Sequence, residues 1–132
     1  MKVEKKHISF QDDRGSIVDV IESIDFNGAT IITSKAGSIR GNHFHKKTIQ
    51  YAFVLEGKIL AKSKKVGMDL EEVTLEPGDL ISHDFYEAHM FEALVDTKFL
   101  VLSSGLRTGK DYELDTFRLN TNIEEFSESD II

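Results

Sequence analysis

The chain has 132 residues and a mass of 14.9 kDa, enough for one domain with one sizeable core and too little for two. A formal charge of -7 argues against a dedicated nucleic-acid binder and against an anionic membrane surface as partner. The absence of Cys excludes disulfides, thiolate metal sites and cysteine nucleophiles.

The first ten residues are charged and carry no long apolar stretch, so no signal peptide is expected. The best apolar run, residues 99–102, is far short of a membrane span, and a cytoplasmic location is the expectation. Along the chain, residues 17–21 follow the turn signal Asp13, Arg14, Gly15 and read as a strand. Residues 29–34 are β-branched and end at Gly37. Residues 49–55 run into Glu56 and Gly57 and return over 58–62, a hairpin pattern. Residues 71–76 precede Pro77, Gly78 and Asp79, a turn built on the sole proline. Further short strands are expected over 80–82, 87–91 and 98–102. Eight or so short strands with few helical stretches define an all-β barrel or sandwich in a single domain spanning residues 1–119. Residues 120–132 form an acidic tail, read as a solvated terminus with a short helix near 121–129; docking through Ile123, Phe126, Ile131 and Ile132 is the alternative.

Alternation sorts the central hairpin. Ile49, Tyr51, Phe53 and Leu55 face one way, and Gln50, Ala52 and Val54 the other. Both faces are largely apolar, so one lines the barrel and the other packs on a further sheet or a second subunit. Gln50 is the polar exception and needs partners.

His43 and His45 are separated by one residue, which on a strand puts both imidazoles on one face with Cα atoms roughly 6.5 Å apart. Such a pair can clamp one metal ion or approach one substrate from one side. Alone it is weak evidence, because exposed histidine pairs are common. The wider spacing is more informative. Gly37, His43, His45, Gln50 and Gly57 fall in a pattern that resembles the first motif of the cupin superfamily, where a Glu usually stands at position 50. Gly78 and His89 resemble the second motif, with Asp84, Tyr86 and Ala93 at positions where that family has other residues. The resemblance covers about residues 17–119. It implies a cupin-type jelly-roll β-barrel with His43, His45, Gln50 and His89 converging inside the mouth. In metal-containing cupins these four positions hold the metal. His7 and His83 fall outside the pattern; His83 is near enough to His89 to be a pocket residue, but a turn position is the preferred reading.

The segment from Arg40 to Gln50, with Gly41, His43, His45, Lys46 and Lys47 between them, is similar to the nucleotide-linked 4-keto-6-deoxyhexose 3,4-ketoisomerases. Residues 100–104 followed by Lys110, Asp111 and Tyr112 resemble the same family. Asp13, Arg14 and Gly15 resemble an opening that those enzymes share with rhamnose-pathway 3,5-epimerases. Residues 40–45 are equally similar to the cupin domain of capsule-synthesis sugar epimerases, in which position 50 is Glu and a metal is bound. The activity implied is isomerisation or epimerisation of a nucleotide-linked 4-keto-6-deoxyhexose in surface-polysaccharide precursor synthesis, with a nucleotide sugar as partner and a homodimer as assembly. The chemistry is consistent with the residues. A C–H beside a carbonyl is acidified, and imidazole titrates near neutrality and can remove its proton. His43 and His45 are base and partner in an order the sequence leaves open, and Tyr112 or Tyr86 is an acid to protonate the enediolate. Arg40 and Arg14 suit a diphosphate, although Arg40 equally suits a carboxylate partner in a loop and Arg14 suits one better. Gln50 is a substrate contact or a metal ligand. No glycine-rich phosphate or dinucleotide loop is present, so no NAD and no ATP are expected; the site needs no cofactor or one divalent transition metal. A metal-dependent cupin such as a three-histidine dioxygenase and a non-catalytic small-ligand-binding cupin are the rivals, since this fold hosts many activities. Between Lys35 and Lys65 eight basic residues face one acidic residue, Glu56, so the acidic total conceals a basic segment around the histidines. That segment suits a small anionic ligand.

Overall fold

The computed structural model describes residues 1–105 and 111–132. Among them twelve strands build two facing five-stranded antiparallel sheets and one small hairpin. The first sheet is ordered β1 (Lys2–Lys5), β9 (Asp79–Ser82), β6 (Ile49–Glu56), β11 (Thr97–Ser104), β4 (Gly28–Ser34). The second is ordered β12 (Phe117–Arg118), β5 (Ile39–Phe44), β10 (Ala88–Ala93), β7 (Ile59–Lys64), β8 (Glu71–Leu75). The hairpin is β2 (Phe10–Asp12) with β3 (Gly15–Ile17), and one helical turn, α1, covers Asp111–Leu114. This is a single jelly-roll domain of the cupin type. No helix among the described residues is long and apolar enough to cross a membrane.

Period-two alternation makes the barrel. On β11 Thr97, Phe99, Val101 and Ser103 are buried while their neighbours are half-exposed, and β7 repeats the pattern with Ile59, Ala61 and Ser63. With Ala52, Val54, Leu75 and Ile81 these side chains fill the space between the sheets. The β6 face that carries Gln50 is therefore the interior face, and Tyr51, Phe53 and Leu55 face outward. The expected hairpin over 49–62 does not form: β6 pairs with β9 and β11 and β7 with β8 and β10, so the turn at Gly57 carries the chain from one sheet to the other. The φ of +96° at Gly57 and its proximity to Thr97 leave no room for a Cβ.

Three further expectations change. The segment 17–21 pairs only as far as Ile17, at the end of β3. The charged start pairs with β9 as β1, and the histidine motif forms β5, broken at its centre by Gly41 (φ +91°) and Asn42 (φ +58°). The tail is docked, with two short 3-10 turns, Ile123–Glu125 and Glu128–Asp130, in place of a helix. Ile123 and Phe126 are buried against Phe44, Ala88 and Leu119 on the outside of the second sheet. Burying two such side chains is worth about 1.5–3 kcal/mol each, which outweighs a tail charge that remains solvated on the opposite side.

Candidate active site

The site is built on the central strands of the second sheet. In register, His43 of β5 faces His89 of β10 on one side and Arg118 of β12 on the other. Residues opposite one another in neighbouring strands share a sheet face. The three side chains therefore point together into the barrel. A bulge between His89 and Met90 sets two β5 residues, Gly41 and Asn42, against a single step of β10. The bulge depends on Gly41, because a Cβ there would lie 2.8 Å from the His89 carbonyl oxygen and 3.1 Å from the Met90 Cα. His45 continues the same face just beyond β5.

Ring centroids lie 4.8 Å apart for His43–His45, 4.8 Å for His43–His89 and 5.3 Å for His45–His89. One ring nitrogen from each of the three lies within 4.8 Å of the others, and all three residues are buried. Two tautomers follow from the hydrogen bonds. Nδ1 of His45 is 2.7 Å from the Asp115 carbonyl and Nδ1 of His89 is 3.0 Å from the Glu87 carbonyl. A carbonyl only accepts, so each Nδ1 carries the proton and each Nε2 keeps its lone pair. Burial, then the neighbouring His89, His45 and Arg118, push His43 down to about 2; burial and His45 push His89 to about 4 despite the opposing Glu87 carbonyl. Both imidazoles are neutral at physiological pH.

Two buried carboxylates hold the frame. Asp115 accepts the backbone N–H groups of Lys46 and Lys47, each at 2.9 Å, and so ties the loop after His45 to the end of α1. Burial alone would raise its carboxyl, but the Thr48 side chain and these two amides prevail and hold it below the usual range. Glu87 accepts the Asp84 N–H at 2.9 Å and the Ser63 hydroxyl at 3.2 Å, and it also contacts the Met1 amino group.

A cavity of about 340 Å³ opens onto this cluster. Its polar lining includes His43, His89, Gln50, Tyr112, Arg40 and Arg118. Tyr112, on α1, stands 6.4 Å from His43 and 5.9 Å from His45 between ring centroids. Arg40 sits at the mouth, where its Nε donates to Ser34 Oγ and its Nη2 to the Thr33 carbonyl, both at 2.8 Å. Of the residues singled out from sequence, His43, His45, Gln50, His89, Arg40 and Tyr112 gather here. Arg14 does not. It lies on the exposed β2–β3 hairpin with its guanidinium on Asp12. Tyr86 is outside the barrel, stacked on Phe44, and Lys110 lies outside the described residues. Lys46 places its ammonium over the Phe117 ring at 4.3 Å.

Two more residues line the cavity: His83, which the sequence reading preferred as a turn residue over a pocket one, and Arg118, which it did not single out. His83 stacks on His89 at 4.4 Å, and its Nε2 is buried without a hydrogen-bond partner. Burial first, then the positive ends of His89 and the N-terminus, hold it well below the ordinary value. Strand parity was the available signal, because Ile81 points inward and His83 is two residues further on. Arg118 had no local signal, since its place depends on the β12–β5 pairing.

The donor set fits one transition-metal ion. Three imidazoles converge, and two are oriented by backbone carbonyls as metal-ligating histidines commonly are.

The chain belongs to the polysaccharide biosynthesis C-terminal domain family, which matches it over residues 10–81. Its fold is shared with sugar-nucleotide enzymes. It superposes on the dTDP-4-dehydrorhamnose 3,5-epimerase of Sulfolobus tokodaii with a TM-score of 0.72 and 18% identity, covering 92% of this chain and 82% of that one. The sugar 3,4-ketoisomerase of Thermoanaerobacterium thermosaccharolyticum in complex with TDP gives 0.74 and 21%, over 90% and 88%. A 3'-monoepimerase of Streptomyces bikiniensis in complex with dTDP-quinovose gives 0.75 and 15%, over 89% and 68%. No curated protein matches the chain.

Proposed function

We propose that this protein is a sugar-nucleotide isomerase or epimerase acting on a nucleotide-linked 4-keto-6-deoxyhexose in surface-polysaccharide precursor synthesis. The observation that carries the reading is a cluster of buried histidines at the base of an open cavity, faced by a tyrosine and flanked by arginines at its mouth.

His43 is the base, because it lines the cavity while His45 packs behind it. It removes the proton from the carbon beside the 4-keto group. The C–H electrons pass into an enediolate whose oxygen is protonated from Tyr112. Return of the proton from His43 to the former carbonyl carbon, with transfer of the neighbouring hydroxyl proton to the Tyr112 phenolate, moves the ketone to C3. Return of the oxygen's proton to Tyr112, with protonation of the original carbon from the other face by solvent, regenerates the 4-ketone and epimerises that carbon. A base held low by burial and positive neighbours gains proton affinity when the anionic diphosphate arrives, which brings it nearer the working pH. No redox change occurs, so neither NAD nor ATP is required.

A second reading keeps the same site with a divalent transition metal held by His43, His45 and His89, with Gln50 alongside. The convergence of three ring nitrogens supports it. When bound, such an ion would polarise the substrate carbonyl. The protein acts as a homodimer in the cytoplasm. The outward, largely apolar face of the first sheet, with Ile31 56% and Leu55 39% exposed in the single chain, is the surface a second copy would cover.

The test is product analysis after incubation with dTDP- and UDP-linked 4-keto-6-deoxyglucose, with and without chelator, beside metal analysis of the purified protein. Conversion that survives chelation supports the metal-free isomerase. Conversion lost on chelation and restored by one metal supports the second reading. Saturable binding without conversion of either substrate overturns both in favour of a binding module.

A further inference from the structure

The mouth of the cavity holds an arginine that neither the histidine motif nor the family match reaches. Arg118 pairs in register with His43, so its side chain leaves the sheet on the interior face. It lines the cavity, and its charge is one of those acting on His43. The guanidinium is not tied into the framework. Nη1 donates to Glu113 Oε2 at 2.8 Å and Nη2 to Oε1 at 2.9 Å, and both side chains are more than half exposed. An exposed pair of this kind is weakly held. Arg40 differs, since two of its nitrogens are anchored on Ser34 and Thr33. The opening is thus flanked by a fixed arginine from β5 and a releasable one from β12.

The parallel Nη1 and Nη2 donors that grip the two oxygens of Glu113 match two oxygens of a phosphate equally well. A diphosphate carries more charge than one carboxylate and would compete effectively for the same fork. We infer that Arg118 is a diphosphate-binding residue of this site, and that Glu113 is its displaceable counter-ion, released when a nucleotide sugar enters. Glu113 lies one residue after Tyr112 on the same helical turn, so the exchange takes place beside the tyrosine that faces the sugar. Occupancy of the phosphate subsite is therefore registered next to the reacting carbon.

The inference rests on the nucleotide-sugar reading, and calorimetric titration separates the two. The full chain is titrated with dTDP and UDP, and with thymidine and uridine as controls without phosphate. Arg118→Gln is expected to weaken the diphosphate about 10- to 100-fold, the scale of a lost charge-assisted hydrogen bond, and to leave nucleoside binding within about twofold. Arg118→Lys keeps the charge without the fork and is expected to fall between wild type and Arg118→Gln. Glu113→Gln removes the competitor and is expected to tighten diphosphate binding about threefold or more, an effect that disappears in the Arg118→Gln background. Wild-type affinity in Arg118→Gln, with dTDP or UDP still bound, overturns the role of Arg118 and leaves the nucleotide-sugar reading intact. So does diphosphate binding unchanged or weakened in Glu113→Gln for the counter-ion role. If wild type binds neither diphosphate, the nucleotide-sugar reading falls and this inference with it.

Discussion

Replacing Gly41 by alanine isolates the backbone device that brings His43 and His89 together. Gly37 is the control. Both glycines have positive φ, +85° and +91°, and an alanine at either pays for a left-handed backbone, roughly 1–2 kcal/mol. They differ in what a Cβ meets. At Gly37 nothing lies within 4 Å, whereas at Gly41 the His89 carbonyl oxygen is 2.8 Å away and the Met90 Cα 3.1 Å. Those atoms belong to a strand paired on both sides, by β5 and β7, and cannot retreat without disturbing a ladder. Forcing extra atoms into such a contact costs about 1–3 kcal/mol more. Gly37→Ala is therefore expected to lose about 1–2 kcal/mol and Gly41→Ala about 2–5 kcal/mol, read from urea midpoints at constant m. Activity should part the variants further, because displacing a catalytic group by about 1 Å costs on the order of 100-fold. Equal stability and equal turnover in the two variants would refute the claim that the β5 bulge sets the His43–His89 spacing.

His43, His83 and His89 all have lowered folded values, so the unfolded chain binds protons that the native state refuses. Their contribution is present above the ordinary value of about 6.5 and is lost as pH falls through the folded values, with His89 protonating at about 4. Stability should therefore fall from pH 7 to pH 5 by up to about 1.4 kcal/mol per pH unit for each histidine; a urea midpoint flat over that range contradicts the buried neutral cluster. Asp115→Asn leaves one of two buried amides facing an NH2 group, and denaturation at pH 7 should show a loss of about 1.5–3 kcal/mol. Phe126→Ala should cost about 3–5 kcal/mol if the tail is part of the folded unit, and less than about 0.5 kcal/mol if it is solvated.

The parts of the site that lie close in sequence were readable there. His43, His45 and Gln50 are close in sequence, from the end of β5 across a turn to the start of β6, and the Pro77 turn sets His89 at a recognisable distance. The alternation of 49–55 also grouped Gln50 with Ala52 and Val54, although it left open which of the two faces is the interior one. What was not readable depends on pairing between distant segments. Arg118 enters the site because a two-residue strand adds to the edge of β5, a contact that no local pattern encodes. β5 itself was obscured by Gly41 and Asn42, whose left-handed backbone interrupts any alternation. The tail's four acidic residues outweighed the signal of Ile123 and Phe126, two side chains that suffice to dock it. Arg14, which a motif resemblance marked, lies in the single chain on an exposed hairpin away from the histidines, with its charge on Asp12.

The account's central claim is proton abstraction by His43 beside a sugar carbonyl, and proton NMR in deuterated water tests it most directly. With a dTDP- or UDP-linked 4-keto-6-deoxyhexose, wild type should introduce deuterium at the carbon next to the carbonyl at the rate of turnover, and His43→Asn should abolish that exchange while nucleotide binding persists. Retention of the proton by wild type with both nucleotides, or undiminished exchange in His43→Asn, would contradict it.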